Sequence, residues 1–290
     1  MMIIDFSVRP PLAKFMDDFI NPPSYLKGYQ HLYYDRFEEV KYYLEATNPM
    51  EEFFKYLDDV NVDMAVINGK DIETLYGRKI SNEVVADVVN KYPDRLKGYA
   101  GIDPLKGMDA VRELEYSVKN LGLIGVAIEP FEYNLYPDDK KMYPIYAKCV
   151  ELGVPVSIHC SINFSNQKLM EYGHPKYIDA VAVDFPELKI IAMTPGWPWV
   201  GELVGVAWRH PNVFIQTAAI RPKYMNMPNT GWGEIIHYGN TVLQNKILFA
   251  SSWPLLPLKR TIEEIKEFPL KEEVKEKWLS GNARRLLNIK

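Results

Sequence analysis

The sequence predicts a (β/α)8 barrel, and three observations support this fold class. Eight short β-rich runs alternate with longer segments of helical periodicity. After the first interval, successive runs begin about 25 to 35 residues apart, which is typical of βαβ units that build a parallel sheet. A length of 290 residues is ordinary for one barrel of this kind, so we expect a single domain spanning residues 1–290.

The predicted strands are short apolar runs rich in aliphatic and β-branched residues, as buried parallel strands require. In chain order they cover residues 2–6, 63–67, 96–102, 123–128, 154–158, 188–193, 212–217 and 246–250.

The segments between these runs show apolar residues at helical spacing. The predicted helices are 81–92, 108–121, 139–152 and 176–185. Ser81 is placed to cap the first of them, and Pro186 ends the last. A final helix over 271–289 is expected to be interrupted near Gly281.

Residues 10–50 break this rhythm, because the segment is rich in proline and tyrosine. An insertion after the first strand rises from the C-terminal face of a barrel, where active sites form. We therefore interpret 10–50 as a lid over the barrel mouth, with His31 as a candidate residue of that lid. A packing flap and a dimer surface are the alternatives.

Composition excludes several function classes. Apolar residues make up 47% of the chain and charged residues 25%, with a net charge of -4 and no basic stripe for nucleic acid. No apolar run approaches the roughly 20 residues that span a bilayer. Cys149 and Cys160 form no CxxC motif, and no secretory signal is evident, so we expect a cytoplasmic protein.

Two polar residues at strand ends are candidates for proton transfer in the barrel mouth. His159 ends the fifth strand, and its ordinary pKa suits acid–base work near neutrality. Glu129 follows the fourth strand and is either a general base or one partner of a salt bridge. The alternation that turns His159 inward turns Cys160 outward, away from the mouth.

Four further residues near strand ends are candidates for ligand binding. Arg221 follows the seventh strand and is a possible anion-binding residue. Trp197 and Trp253 follow the sixth and eighth strands, where they either wall a ring-shaped ligand or pack the core. His174 lies in the loop after the fifth strand.

Several segments together resemble the amidohydrolase-related barrels. The resemblance is to the branch containing aminocarboxymuconate-semialdehyde decarboxylase and the resorcylate-type decarboxylases, and it covers nearly the whole chain. It rests on 3-IIDFSVR-9, 92-YPDRLKGYAGIDP-104, 144-PIYAKCVELGVPVSIH-159, 184-DFPELKIIAMTPGWPW-199, 209-RHPNVFIQT-217, 247-ILFASSWP-254 and 282-NARRLL-287.

The resemblance implies a divalent metal site at the barrel mouth, and this chain departs from the expected ligands. The two histidines of the first strand correspond to Ser7 and Arg9, and the histidine after the sixth strand corresponds to Thr194. The aspartate of the eighth strand corresponds to Ser252, and only His159 keeps the expected residue type.

These substitutions predict that the usual site binds no metal and that the protein needs no cofactor. A catalytic zinc site takes about three protein ligands with lone pairs to donate. The guanidinium of Arg9 has none, and the hydroxyls of Thr194 and Ser252 are poor zinc ligands. His159 alone cannot hold a divalent ion against water.

Arg9 is the residue on which the remaining function is expected to depend. Asp5, Ser7 and Arg9 share one face of an extended strand, so Arg9 points to the mouth. Its fixed charge could attract a substrate carboxylate or a developing oxyanion, although it cannot acidify a bound water as zinc does. The alternative is an ion pair with Asp5 or Glu129 that only fills the space.

We therefore expect a metal-independent enzyme acting on a small carboxylated or aromatic ring compound. The chemistry is hydrolysis of a lactone-like bond or non-oxidative decarboxylation, with His159, Arg9 and Glu129 as catalytic residues. Ser7, Thr194, Ser252, Arg221, Trp197, Trp253 and His174 are the expected substrate-binding residues. The alternative is a catalytically inactive binding protein or partner subunit, and the resemblance makes a homodimer the default assembly.

Overall fold

Eight parallel strands form a closed barrel, as the sequence predicts. The computed structural model describes residues 2–29 and 37–289, except the side chains of 37–39, so position 31 lies outside the described residues. The barrel strands, in their order around the sheet, are β1 (Ile4–Val8), β2 (Met64–Asn68), β5 (Leu96–Gly101), β6 (Val126–Ile128), β7 (Val156–His159), β8 (Ile190–Met193), β9 (Val213–Gln216) and β10 (Ile247–Leu248). Backbone hydrogen bonds from the amide of Phe6 to the carbonyl of Phe249 and from the amide of Arg9 to the carbonyl of Trp253, each 2.9 Å, close the barrel.

A short antiparallel hairpin follows β2 and was not expected from the sequence. It consists of β3 (Lys70–Ile72) and β4 (Arg78–Ile80), which pair with each other and not with the barrel sheet.

Helices surround the barrel and connect its strands. They are α1 (Ala13–Ile20), α2 (Phe37–Glu45), α3 (Pro49–Asp59), α4 (Glu73–Tyr76), α5 (Asn82–Lys91), α6 (Met108–Lys119), α7 (Pro130–Tyr133), α8 (Tyr143–Leu152), α9 (Pro175–Asp184), α10 (Val200–Arg209), α11 (Pro222–Met225), α12 (Gly233–Gly239), α13 (Leu258–Lys266), α14 (Glu272–Glu276) and α15 (Asn282–Leu287). The hydroxyl of Ser81 caps α5 by accepting a hydrogen bond from the amide of Val84, as predicted. Within the described ranges, no helix is long and apolar enough to cross a membrane.

Strand alternation divides the core into two layers. One face of the strands packs against the helices, and the other fills the barrel. The interior cluster includes Ile4, Phe6, Val66, Tyr99 and Leu248. Residues of α15, among them Ala283 and Leu286, join this cluster and cover the N-terminal end of the barrel.

The final helical region is interrupted, as the sequence predicts. A π-helical turn over Lys277–Gly281 separates α14 from α15. Inside this turn the side chain of Trp278 is fully buried, and its indole N–H donates to the carbonyl of Gly239 at 3.3 Å.

An irregularity in β1 corrects one sequence-based expectation. The pairing of β1 with β2 shifts between Asp5 and Val8, so Asp5 does not share a regular face with Ser7 and Arg9. Phe6 packs in the barrel interior, yet Ser7 and Arg9 both line the mouth. The extra residue in the strand therefore brings Ser7 and Arg9 to the mouth and leaves Asp5 buried below it.

Asp5 links the two strands that close the barrel. Its carboxylate accepts hydrogen bonds from the amides of Ser7 and Ser251, at 3.1 and 3.0 Å, and from the hydroxyl of Ser251. Burial raises the pKa of Asp5 to about 7, although these hydrogen bonds oppose the rise. Ser251 in turn accepts a hydrogen bond from the amide of Trp253, so one buried carboxyl organises the turn before Ser252.

The free energy of unfolding should therefore decrease as the pH rises and Asp5 ionises. A carboxyl whose pKa is raised on folding stabilises the folded state while it is protonated. This contribution is fully present below the unfolded-state pKa of about 4, and it is lost as the pH rises through the folded-state pKa of about 7. In Asp5→Asn the amide oxygen can accept from the amides of Ser7 and Ser251, and the amide NH2 can donate to the hydroxyl oxygen of Ser251, but the side chain does not ionise. Between about pH 4 and pH 8 we therefore expect the free energy of unfolding to fall by about 2–4 kcal/mol more in wild type than in Asp5→Asn.

Denaturant unfolding across this pH range measures the difference. Asp63→Asn is the control, because the carboxylate of Asp63 also accepts a hydrogen bond from a backbone amide, that of Ile3 at 2.8 Å, but lies outside the buried turn around Ser251. Identical pH slopes for wild type and Asp5→Asn would contradict the role assigned to this carboxyl.

Candidate active site

A cleft of about 200 Å³ opens at the C-terminal ends of the barrel strands. Residues at the ends of strands β1, β2 and β6 to β9 line it, as does the segment that follows β10. Its floor includes Ala127, Met193 and Ala218, and its walls carry most of the charged residues described below. This is the face on which (β/α)8 barrels carry their active sites.

The structure brings six of the sequence-predicted site residues together in this cleft. They are Ser7, Arg9, Glu129, His159, Thr194 and Ser252. The group includes all three residues expected to be catalytic.

The other four predicted residues are not brought to the cleft. Arg221 donates two hydrogen bonds to one carboxylate oxygen of Glu264, at 2.8 and 2.5 Å, on the outer side of the barrel. His174 caps α9 through the amide of Lys176, and its ring lies 4.6 Å from that of Trp199. Both are absent from the cleft lining, because the carboxylate of Glu264 holds Arg221 and the N-terminus of α9 holds His174.

The two tryptophans expected as an aromatic wall also lie outside the cleft lining. Trp253 is fully buried and packs against Phe53 and Tyr43, with ring centroids 4.8 and 5.3 Å away. Trp197 stacks on Trp232 at 6.5 Å. Of the two interpretations left open by the sequence, core packing is therefore the one observed for Trp253.

His159 is buried at the end of β7, with 8% of its surface exposed toward the cleft. Burial lowers the pKa of His159, and the nearby carboxylate of Glu129 opposes this effect. The ring packs edge-on against Phe131, with centroids 5.0 Å apart, and Nδ1 has no hydrogen-bond partner among the described residues. A neutral imidazole in this position can accept a proton from a ligand in the cleft.

Cys160 lies outside the cleft, as expected from strand alternation. Its side chain is fully buried in the layer between strands and helices. Burial raises the pKa of the Cys160 thiol well above its usual value, so it is no nucleophile at neutral pH.

Three cleft residues adopt left-handed backbone conformations where barrel strands end. Thr194, Ala219 and Ser252 have φ angles of 84°, 62° and 56°. Such values are rare outside glycine, particularly for a β-branched residue such as Thr194, and they cluster at functional sites. The hydroxyl of Thr194 donates to the carbonyl of Cys160 at 3.2 Å, which holds this turn against β7.

The segment after β1 supplies one wall of the cleft. Lys14, Phe15, Asp18 and Phe19 from α1 line it, together with Leu26 from the short 3-10 helix Ser24–Tyr29. Part of the segment interpreted as a lid therefore lies at the barrel mouth.

A lysine bound to two carboxylates lies at the centre of the charged wall. The ammonium of Lys70 is 2.7 Å from Oδ2 of Asp18 and 2.6 Å from Oε1 of Glu132. The side chains of Asp18 and Glu132 are 12% and 2% exposed, so both ion pairs are largely shielded from water. The hydroxyl of Tyr25 donates to the same oxygen of Glu132 at 2.6 Å.

The charged groups around Lys70 shift one another's pKa values. Burial disfavours the ammonium of Lys70, but Asp18 and Glu132 raise its pKa well above the usual value. Burial also opposes ionisation of Asp18, but Lys70, Arg9 and Arg78 together lower its pKa to about 2. Burial raises the pKa of Glu132 to about 7; Lys70 opposes the rise, and Glu129 adds to it. The wall therefore keeps a permanent cation and a permanent anion side by side.

Two glycines allow Lys70 to reach this position. A Cβ atom on Gly69 would lie 2.7 Å from the amide nitrogen of Gly101, and one on Gly101 would overlap the backbone of Gly69 and Lys70. The chain after β2 therefore crosses the end of β5 at a distance that only glycine permits.

Sequence reasoning missed Lys70, Asp18 and Glu132. One signal was available for Lys70, because it follows the second strand by two residues and so lies on the C-terminal face. Asp18 and Glu132 lie in short helices after strands, where a carboxylate is usually a surface residue. No local pattern distinguishes them.

The sequence of this chain matches that of a known family over most of its length. The model of the Amidohydro_2 family, described as amidohydrolase, matches residues 41–289. The chain belongs to this amidohydrolase family. The sequence-based identification is thereby confirmed, and the fold of this family explains why the polar residues converge at strand ends.

Three proteins that are similar to this amidohydrolase are informative. An uncharacterised TIM-barrel protein from Bordetella bronchiseptica is 29% identical, with a TM-score of 0.81 over 99% of both chains. Gamma-resorcylate decarboxylase from a Rhizobium species is 24% identical over 92% of both chains. The structure of 5-carboxyvanillate decarboxylase from Novosphingobium aromaticivorans, complexed with manganese and 4-hydroxy-3-methoxy-5-nitrobenzoic acid, is 16% identical, with a TM-score of 0.70 over 99% of this chain and 96% of that chain.

The donor set in the cleft of this amidohydrolase does not fit a divalent metal. Four of the five expected ligand positions carry Ser7, Arg9, Thr194 and Ser252, and an arginine repels a cation. Among the described side chains, those of residues 2–29 and 40–289, no three His, Cys, Asp or Glu residues are grouped so as to hold a metal ion. We therefore derive no reaction step through a metal.

The close crossing of Gly69 and Gly101 should be intolerant of a methyl group. We expect Gly101→Ala to lower the free energy of unfolding by at least about 2 kcal/mol, because backbone atoms must shift to admit the Cβ. Gly205→Ala in α10 is the matched control, since its Cβ meets no atom and alanine favours a helix by about 0.5–1 kcal/mol. If denaturant unfolding gave the two variants equal stability, the backbones at Gly69 and Gly101 could not approach as closely as described.

The pKa of His159 should depend on Glu129. The carboxylate of Glu129 favours the imidazolium, so Glu129→Gln is expected to lower the pKa of His159 further below the wild-type value. NMR titration of the histidine ring protons measures this shift. Glu202→Gln, which removes the carboxylate 3.3 Å from His174, should leave His159 unchanged. An unchanged or raised pKa in Glu129→Gln would show that the two groups do not interact.

Proposed function

We propose that this amidohydrolase is a decarboxylase of a small aromatic carboxylate and that it acts without a divalent metal. The observation that carries the proposal is the replacement of metal ligands in the cleft by a fixed cation, Arg9, while His159 is kept. The decarboxylase activity of the gamma-resorcylate relative supports the reaction type.

Arg9 is the proposed binding residue for the substrate carboxylate. Its guanidinium presents parallel N–H donors that match a carboxylate in two hydrogen bonds. The amide of Arg9 donates to the carbonyl of Trp253 at 2.9 Å, so the backbone of this residue is fixed at the barrel seam. From this fixed backbone position the side chain lines the cleft, where its guanidinium can orient an aromatic acid.

His159 is the proposed proton-transfer residue. For a hydroxylated aromatic acid, its neutral imidazole accepts the phenolic proton and returns it to the ring carbon that bears the carboxylate. The bond between that carbon and the carboxylate then breaks, carbon dioxide leaves, and the electron pair of the broken bond restores the aromatic ring. Solvent returns a proton to the phenolate oxygen. Glu129 assists by stabilising the transient imidazolium.

Ser7, Thr194 and Ser252 complete the proposed binding site. Each lines the cleft, and each carries a hydroxyl at a position where the family resemblance implies a metal ligand. The hydroxyls of Ser7 and Ser252 can donate to or accept from ligand oxygens without carrying charge, whereas that of Thr194 donates to Cys160 and can accept from a ligand hydroxyl.

Hydrolysis of a lactone-like bond is the second candidate. The lowered pKa of His159 favours it, because a neutral imidazole can also remove a proton from an attacking water. In that case the guanidinium of Arg9 would bind the carboxylate group of a carboxylated lactone.

An activity panel with chelator-treated protein tests the proposal. Hydroxybenzoates, including 2,6-dihydroxybenzoate, are assayed for carbon dioxide release, and carboxylated lactones for ring opening. We expect activity to survive the chelator. We also expect a loss of about 10²–10⁴-fold in turnover for His159→Gln and a KM raised about 10- to 100-fold for Arg9→Met.

Matched controls lie outside the cleft. Arg112, with its side chain 70% exposed, and the exposed His237 supply Arg112→Met and His237→Gln, which should retain wild-type activity. Activity that returns only with added manganese or zinc would overturn metal independence. Wild-type activity in both Arg9→Met and His159→Gln would overturn the site assignment, and tight carboxylate binding without turnover would indicate a binding protein.

A further inference from the structure

Lys70 is a second cation of the cleft that the family resemblance does not identify. Its side chain is 16% exposed and lines the cleft, so the ammonium can be reached by a ligand. An ammonium has three N–H donors, and the carboxylates of Asp18 and Glu132 each accept from one of them. Within the described part of the chain, no further acceptor is bonded to it, which leaves one donor for an incoming oxygen.

Lys70 and Arg9 both interact electrostatically with the carboxylate of Asp18. Asp18 lies 2.7 Å from the ammonium of Lys70, and the charge of Arg9 also lowers the pKa of Asp18. Both side chains also line the same cleft of about 200 Å³. In a cleft of this size the two cations can contact different oxygens of one small aromatic acid.

Their chemistry suits different oxygens. The planar guanidinium of Arg9 matches both oxygens of a carboxylate, whereas an ammonium is a compact point charge suited to a single oxygen. We infer that Lys70 binds a second ligand oxygen, a hydroxyl or phenolate next to the carboxylate that Arg9 binds. This inference deepens the proposed function and rests on its assignment of the carboxylate to Arg9.

Two other cations that line the mouth, Arg78 and Lys79, also pair with carboxylates. Arg78 pairs with Asp17, which is 48% exposed, and with Asp18 at 3.3 Å, and it donates to the carbonyl of Asn21 at 2.7 Å. Lys79 lies 3.1 Å from Glu113 and 3.5 Å from Asp71, and neither carboxylate lines the cleft. Lys70 differs because both of its partners line the cleft and are at most 12% exposed, so their positions hold its ammonium against the cleft.

Lys106 provides a matched control for Lys70. Its ammonium also lies between two carboxylates, 2.6 Å from Asp71 and 2.8 Å from Glu73, and its side chain is 21% exposed. Lys106 is absent from the cleft lining, so its removal should affect folding to a similar degree without touching the ligand.

The test compares the binding of benzoate and 2-hydroxybenzoate by calorimetry. We expect wild type and Lys106→Met to bind 2-hydroxybenzoate about 10- to 100-fold more tightly than benzoate, since a hydrogen bond to a charged donor is worth this ratio. In Lys70→Met the preference should fall below about threefold, with benzoate affinity retained. If Lys70→Met does not fold, Lys70→Met with Glu132→Gln replaces it, because this pair removes both charges of one buried ion pair.

Each outcome decides the role of Lys70. A preserved preference in the Lys70 variants overturns it, as does a wild type that binds both compounds equally. A wild type that binds neither compound overturns both Lys70 and the assignment of the carboxylate to Arg9. A Lys70-dependent preference without any turnover supports the role of Lys70 and counts only against the decarboxylase proposal.

Discussion

The ion pairs of Lys70 hold the mouth of this barrel together. One ammonium joins α1 through Asp18 and α7 through Glu132, while its own backbone crosses the end of β5 between two glycines. Each charge loses water on burial, and this loss is offset only because all three groups are paired at once. The position of the wall formed by α1 therefore depends on Lys70 together with Arg78, which pairs with Asp17 and with Asp18. Removing Lys70 alone leaves Glu132 buried without its cation, whereas Lys70→Met with Glu132→Gln removes both charges of one ion pair.

Fixed cations can take over one function of a metal ion and not the other. Arg9 and Lys70 can attract anionic oxygens and stabilise charge that develops on them, because they are held in place before the ligand arrives. They cannot lower the pKa of a bound water as a metal does. This difference favours reactions in which a proton is delivered to carbon over hydrolysis of a poor leaving group. In the proposed mechanism His159, kept neutral by burial, supplies the proton transfer that the cations cannot.

Most of the fold could be predicted from the sequence, because strand periodicity and spacing are local signals. All eight barrel strands were expected, and so was the interruption of the final helix before α15. The hairpin of β3 and β4 was not expected, since its strands have three residues each, which is too short for a periodic pattern. The shift in β1 that separates Asp5 from Ser7 was missed because it depends on the pairing of β1 with β2, a contact between distant segments. At the site, strand ends identified Arg9, Glu129 and His159 as mouth residues, but pairing partners decided the rest: Glu264 holds Arg221 away from the cleft, while Asp18 holds Lys70 within it.

The central claim is that protein cations, rather than a metal ion, hold an aromatic acid in the cleft. A crystal structure of the protein with 2-hydroxybenzoate, grown without added metal and measured with anomalous scattering, tests it most directly. We expect a carboxylate bonded by the guanidinium of Arg9, a hydroxyl oxygen within hydrogen-bond distance of the ammonium of Lys70, and no anomalous peak between ligand and His159. A metal ion bridging the ligand to His159, or a ligand bound away from both cations, would contradict it.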